Sequence, residues 1–254
     1  MREELRCALD GSELLGLDPR LYIEDIEEQI RKDVRTAGRA LGGKVLCGPV
    51  ARESLTVTLR FLIKEKDRAD RARILARVNG WAKRGWLTVS TRPWQRLYVV
   101  CTQPADGASL RWSEPARLVW TAADWPYWMG TAPYTVAVSG ESDAAWLCPE
   151  GTGDYYAEAE LVNRSGDVID EISFFFGGGE KMAFSGLGLR DGAAFRLFYD
   201  ERHLLRAEAD GVPALHCLSA DSQDEIRLPP GRNSVIYYAD GPCSGKICAR
   251  GIFE

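Results

Sequence analysis

The chain is predicted to be mainly β, in two domains of similar size. The first is a barrel- or sandwich-like β domain carrying one α-helix, and the second is a jelly-roll antiparallel β-sandwich. Two observations predict this. A Pro-containing aromatic pentapeptide, Asp124-Trp125-Pro126-Tyr127-Trp128, lies at the midpoint of the 254 residues, where Pro126 fixes its own φ and pushes Trp125 toward an extended conformation. Before this hinge, strand-like segments surround one amphipathic helical stretch, and after it the readable elements are strands and turns. A length of about 250 residues also exceeds the usual ~100–150 of one domain. The expected domains are therefore residues 1–130 and 131–254.

In the first domain, Leu5 to Leu9, an Asp10-Gly11 turn and Leu21-Tyr22-Ile23 read as a hairpin-like entry. Residues Thr36 to Pro49 contain Gly38, Gly42, Gly43 and Gly48 with little periodicity, and read as a long loop or extended arm. Leu55, Val57, Leu59, Phe61 and Ile63 alternate with Thr56, Thr58, Arg60, Leu62 and Lys64, the period-2 pattern of a half-buried strand that only Leu62 interrupts. Asp67 is a helix N-cap, with Asp70 favouring the positive end of the dipole. Ile74, Leu75, Val78, Trp81 and Ala82 then recur at helical spacing, and Lys83-Arg84-Gly85 supplies cations and a glycine stop. The helix is expected over about 67–84. Trp86 to Val89, Leu97 to Thr102 and Arg117 to Thr121 read as strands, with a turn at Arg92-Pro93-Trp94.

In the second domain the expected strands are Tyr134 to Val138, Tyr155 to Val162, Glu171 to Phe176, Ala194 to Tyr199, His203 to Ala209, Glu225 to Leu228 and Ser234 to Tyr238. Turns rich in Gly, Asp and Pro separate most of them, at close to the spacing of a jelly-roll or galectin-like sandwich. Pro229-Pro230-Gly231-Arg232-Asn233 makes a sharp turn, with Gly and Asn able to take positive φ.

Composition narrows the function classes. With 45% hydrophobic and 27% charged residues, the chain reads as an ordinary globular protein with a full core. Met1 to Arg6 has no apolar run, and no stretch approaches a membrane span, so neither signal-peptide export nor membrane insertion is expected. Seven cysteines, an odd count with no Cys-x-x-Cys, and two histidines fit reduced thiols better than disulfides or a zinc site; a Cys243–Cys248 pairing across a C-terminal hairpin is the alternative. The net charge of −5 is uneven: Arg60 to Arg96 holds 11 Lys/Arg against 3 Asp/Glu, a net +8 that leaves −13 elsewhere. Without a reading element, this charge does not predict sequence-specific nucleic-acid binding.

Catalytic motifs are not found. Gly241-Pro242-Cys243-Ser244-Gly245-Lys246-Ile247 is one residue short of a phosphate loop, has Ile247 where the hydroxyl belongs, and reads as a hairpin turn. Gly177-Gly178-Gly179 reads as a turn, since it lacks the strand-to-helix context of a dinucleotide site. His216 and Cys217 would face opposite sides of a strand and cannot activate one another. Asn163-Arg164-Ser165 matches a glycosylation sequon by chance. No catalytic residue, cofactor or metal is expected.

Two surface readings remain open. Arg68, Arg71, Arg73, Arg77 and Arg84 mostly fall off the apolar stripe, and form either a solvated face or a subunit interface meeting acidic surface on a neighbouring copy. All eight tryptophans (81, 86, 94, 112, 120, 125, 128 and 146) lie within about 65 residues of one another. They read as a shared core and interdomain seam, with Trp125, Pro126, Tyr127 and Trp128 as the seam, or as stacking platforms for a sugar or partner.

The order of these parts resembles the distal tail protein (Dit) family of long-tailed phages and prophages. The resemblance rests on the strand Leu55 to Ile63 leading into a helix that ends near Trp81, on short strands and a Pro turn between Leu87 and Tyr98, on the segment Asp124 to Trp128, and on the turn Pro230-Gly231-Arg232-Asn233. It covers nearly the whole chain and lies in order and spacing, not in one motif. It implies a non-catalytic virion structural protein of the siphophage tail tip or baseplate, made in the bacterial cytoplasm. Six copies of the first domain would form a ring between the tail tube protein and the tail-tip hub protein, with a receptor-binding protein as a further partner. The second, galectin-like domains would project outward, and Thr36 to Pro49 would be an arm packing on a neighbour. The chain departs from the pattern in lacking a long carbohydrate-binding insertion and in its Cys243 to Cys248 end. The alternative class is a soluble carbohydrate-binding β-sandwich protein, supported by the strand pattern and the tryptophans.

Overall fold

The computed structural model describes residues 4–33, 36–40, 43–46, 51–106, 114–123, 125–200 and 202–253. They divide into two compact units, Met1–Trp128 and Met129–Glu254.

The first unit contains β1 (Cys7–Leu9), β2 (Ser12–Glu13), β3 (Leu21–Asp33), β4 (Thr36–Ala40), β5 (Gly43–Leu46), β6 (Ala51–Ile63), α1 (Arg68–Trp81), β7 (Arg84–Val89), β8 (Gln95–Gln103) and β9 (Ala116–Ala122). Its main sheet runs β2-β1-β7-β8-β9-β6-β3, antiparallel at each step, an open half-barrel with β2 and β3 at its ends. Alternation along β6 is physical: Leu55, Val57, Leu59 and Phe61 are buried in the core, whereas Thr56, Arg60 and Leu62 on the other face keep some exposure. Thr58 is the exception, buried on that second face, where it lies between Glu27 and Val119.

Asp67 caps α1 as expected, its carboxylate accepting from Asp70 N at 2.9 Å, and Ile74, Leu75 and Val78 form the buried stripe. The helix stops at Trp81, earlier than expected, and Gly85 is not its terminator. Gly85 lies in β7, where a Cβ would stand 2.3 Å from the Asp10 carboxylate. That carboxylate accepts from Trp86 N at 2.8 Å, and Asp10 N donates to Trp86 O at 2.9 Å. Gly85 is needed so that the Asp10-Gly11 turn can lie against the strand.

Two further expectations are corrected. The Asp10-Gly11 turn joins β1 to β2, whereas Leu21 to Ile23 begins β3 and pairs with β6, Ile23 opposite Phe61. The segment read as a loop from Thr36 to Pro49 contains the paired strands β4 and β5, Ala40 opposite Gly43, between two long strands that pair out to Asp33 and Ala51. Its remaining residues, 41–42 and 47–49, lie outside the described ones. Thr36–Ala40 carries no large apolar residue and Gly43–Leu46 is too short for alternation to show, so the pairing left no hydrophobic period in the sequence.

β10 (Trp128–Gly130) spans the passage between the units. The second unit contains β11 (Tyr134–Leu147), β12 (Ala157–Asn163), β13 (Ile169–Phe176), β14 (Lys181–Leu189), β15 (Ala194–Tyr199), β16 (Leu205–Ala209), β17 (Val212–Pro213), β18 (Asn233–Ala249) and β19 (Ile252–Phe253). The 17-residue β18 organises it. β18 pairs with β11 along nearly its whole length, with β13 through its first half and with β12 through its second, while a register shift at Gly140/Ser142 marks the bend between halves. The first half therefore belongs with β13 and β14, the second with β12, β15, β16 and β17. Between these layers lie Phe174 and Phe184 against Phe195, with ring centroids 6.2 and 5.0 Å apart, the core of an antiparallel sandwich.

Here too local readings are overturned. Gly241 to Ile247 is strand, not a turn, and Cys243 to Ile247 pair in the ladders with both β11 and β12. A Cβ on Gly245 would lie 2.0 Å from Glu160 O, so glycine is demanded by strand approach, not by phosphate. Cys243 and Cys248 lie on this one strand, five residues apart, at a rise of about 3.3 Å per residue, so the hairpin that would pair them does not exist. Burial pushes both thiols up to about 11, with nearby acidic groups adding to the effect, and Cys7 up to about 12, so all three stay protonated at neutral pH. His216 and Cys217 sit in a 3₁₀ turn, not a strand. Glu225 to Leu228 contributes a single bridge, Leu228 to Tyr155, and the unexpected strand β14 carries Gly186 and Gly188, which broke its sequence pattern. In the Pro229 to Asn233 turn, Gly231 takes φ +104 while Asn233 does not have positive φ. Asn233 instead donates from Nδ2 to Tyr155 Oη and Pro229 O.

Candidate functional site

The five arginines proposed from sequence do not form one face. Arg68 opens α1 and is exposed; Arg73 is exposed and pairs with Asp70 at 3.2 Å. Arg77 is exposed, 3.6 Å from the buried Asp18 carboxylate. Arg71 is turned inward and nearly buried, its Nη1 donating to Glu65 O at 2.7 Å and Lys66 O at 2.6 Å. Its position was legible in the sequence, because residue 71 precedes Ile74, Leu75 and Val78 by three, four and seven and so falls on their stripe. Arg84 is not helical; it starts β7, with its guanidinium 5.0 Å from the Tyr98 ring centroid.

The arginines outside the helix build two arrangements that sequence reasoning missed. The first is an ionic cluster beneath α1. Arg20 donates to Asp18 from Nε at 2.8 Å and from Nη2 at 2.9 Å, and to Glu65 from Nη1 at 2.6 Å. These bonds, Arg20's above all, hold the Asp18 carboxyl down at about 2, with Arg77 adding a smaller attraction, and bonds from Asp67 N and Arg20 lower Glu65. The second is a ladder on the outer face of the sheet. Trp86 and Tyr98, opposite in register, lie 5.0 Å apart, with Arg84 over Tyr98 and Arg96 4.0 Å from the Trp86 centroid. Alternating cations and rings on a sheet face stabilise one another by cation–π attraction.

The proposed seam residues are partly placed. Trp128 is buried within the first unit, donating from Nε1 to Glu28 at 3.0 Å; Arg92 donates to the same carboxylate at 2.8 Å and lies 5.3 Å from the indole centroid. Trp125 and Tyr127 flank Pro126 with ring centroids 5.0 Å apart, while Asp124 and Trp112 lie outside the described residues. The tryptophans are not one cluster. Trp81 packs edge-on against the buried Trp120, Trp94 is exposed, and Trp146 is half-exposed on β11 of the second unit.

Among the described residues no group of three or more His, Cys, Asp or Glu could hold a metal ion, and no helix is long and apolar enough to cross a membrane. Asn163 of the sequon is buried, with Nδ2 donating to Asp167 O and Leu189 O and Oδ1 accepting from Ser165; it is a structural residue.

No family model and no curated protein matches the chain. Solved structures do. The SPP1 Dit protein, described as a paradigm of the hub adsorption apparatus in phages that infect Gram-positive bacteria, is similar over 99% of this chain and 100% of its own, with TM-score 0.69 and 14% identity. The chain has the fold of the SPP1 Dit protein. Chains of the phage p2 baseplate in its activated conformation are similar at 6% identity. With calcium, the match covers 97% of this chain and 98% of that one at TM-score 0.51. With strontium, it covers 96% and 97% at TM-score 0.50. In this fold α1 and the half-barrel sheet make up the first unit, and the β11–β18 sandwich forms the second.

Proposed function

We propose that this chain is a structural, non-enzymatic component of a phage or prophage tail tip. Its first unit forms a ring, expected to hold six copies, that joins the tail tube to the tail-tip hub, and the assembly docks host-adsorption proteins. The observation that carries the reading is the full-length similarity to the SPP1 Dit protein, which covers 99% of this chain and 100% of that one and so takes in both units. The exposed cations Arg68, Arg73 and Arg77 support a contact with acidic surface on a neighbouring copy, and Arg84 contributes through the sheet face. Arg71 supports that surface from below by closing the start of α1. The segment Thr36 to Pro49, whose described part is the strand pair β4 and β5, supplies the arm.

Light scattering across a concentration series, with negative-stain imaging, tests the proposal. The expected species is a ring of about six chains, each of 28.2 kDa. A chain that stays monomeric, and whose peptides are missing from purified tails, would overturn it.

A further inference from the structure

The outer face of the second unit carries large apolar side chains where the alternation of a sandwich strand calls for polar ones. Three strands place them together. In register, Ala144 of β11 lies opposite Ile236 of β18, which lies opposite Phe175 of β13; one step toward one end is Trp146, and one step toward the other is Tyr238. Trp146 and Tyr238 are each 50% exposed and Phe175 39%, and the last two meet edge to face at 5.5 Å. Between the rings stand Ile236, half-buried at the centre, and the small residues Ser142, Ala144, Ser173 and Ser234, so the rings rise at the margins of a shallow apolar floor.

The polar atoms here are uncommitted. No described residue bonds the Trp146 indole N–H or the Tyr238 hydroxyl. Arg232 lies 4.5 Å from the Trp146 centroid with no described carboxylate on it, while Lys181 at the margin is taken by Asp221 at 2.7 Å.

We propose that this face is a binding site for a neutral oligosaccharide. Aromatic faces stack on the apolar C–H faces of pyranose rings, and the hydroxyls, indole N–H and guanidinium supply the hydrogen bonds that sugar hydroxyls require. Size favours a glycan over a protein: those exposed fractions amount to roughly 300 Å² of aromatic surface, against about 800 Å² that each partner brings to a stable protein complex. Outer strands β11 and β13 are about 10 Å apart, a spacing that suits two linked sugar rings. The site was not legible in the tryptophan cluster, since of its rings only Trp146 belongs to it. The inference stands whether or not the chain forms a ring.

The test is isothermal titration and tryptophan fluorescence of the full chain with cellohexaose, maltohexaose and the N-acetylglucosamine hexamer. At least one should bind, and Trp146→Ala and Tyr238→Ala should each weaken it about tenfold or more at unchanged melting temperature. Arg232→Ala, which keeps the rings, should weaken it less, and saturation transfer should reach sugar C–H protons in the wild type. No binding of any of the three, or binding that survives both ring substitutions, would overturn the site. Self-association or protein capture abolished by the same substitutions would overturn the glycan and assign a protein instead.

Discussion

Asp18 shows how one carboxylate organises the first unit. It is buried, and its two oxygens receive the Arg20 fork while Arg77 stands above. The folded pKa of about 2 lies below the unfolded value near 4, so the stabilisation is complete above about pH 4 and lost as pH falls through about 2. Asp18→Asn should therefore cost about 1.5–3 kcal/mol at pH 7, with the gap to wild type closing between about pH 4 and 2 in urea titrations. A gap constant with pH would assign the loss to packing. Its main partner Arg20 is only two residues away, but the groups that complete the cluster, Glu65 on Arg20 and Arg77 on Asp18, come from the segment after β6 and from α1, so no local pattern marks it. Arg71 is the contrasting case, a charged residue whose burial its helical register announced.

At the scale of the element, α1 offers substitutions of opposite sign. Asp67→Ala removes the cap on Asp70 N and should cost about 1 kcal/mol, whereas Gly80→Ala, with nothing within 4 Å of the added Cβ, should stabilise by about 0.5–1 kcal/mol. Chemical unfolding monitored by circular dichroism reads both; a destabilising Gly80→Ala would contradict the open space on that face. In β18 the sign reverses. Gly245→Ala puts a methyl against the Glu160 carbonyl, a backbone atom that a rotamer change cannot move, and should destabilise by about 3 kcal/mol. Elements with one buried face, such as β6 and α1, were legible because alternation or the 3.6-residue stripe reports burial directly. β4, β5, β14 and the second half of β18 were not, because glycines and small residues carry no hydrophobic period and their pairing is decided by strands remote in sequence.

For the whole molecule, assembly is the property to perturb. Arg68→Glu with Arg73→Glu changes two exposed cations and spares Arg71 and Arg77, which hold the fold. The expected outcome is loss of the large species in light scattering with unchanged melting temperature; a ring that persists would move the interface to another surface. The sequence by itself determined the mainly β class, the helix start at Asp67, the core face of the strand through Phe61 and the order of parts that resembles a tail protein, since each follows from local periodicity, capping or turn chemistry. Only the tertiary structure decided that Gly245 serves strand approach, that Cys243 and Cys248 share a strand, that the arginines divide between a helix face, a buried cap and a sheet ladder, and that Trp146 joins Phe175 and Tyr238. These depend on register and approach between segments far apart in the chain, which no local pattern encodes.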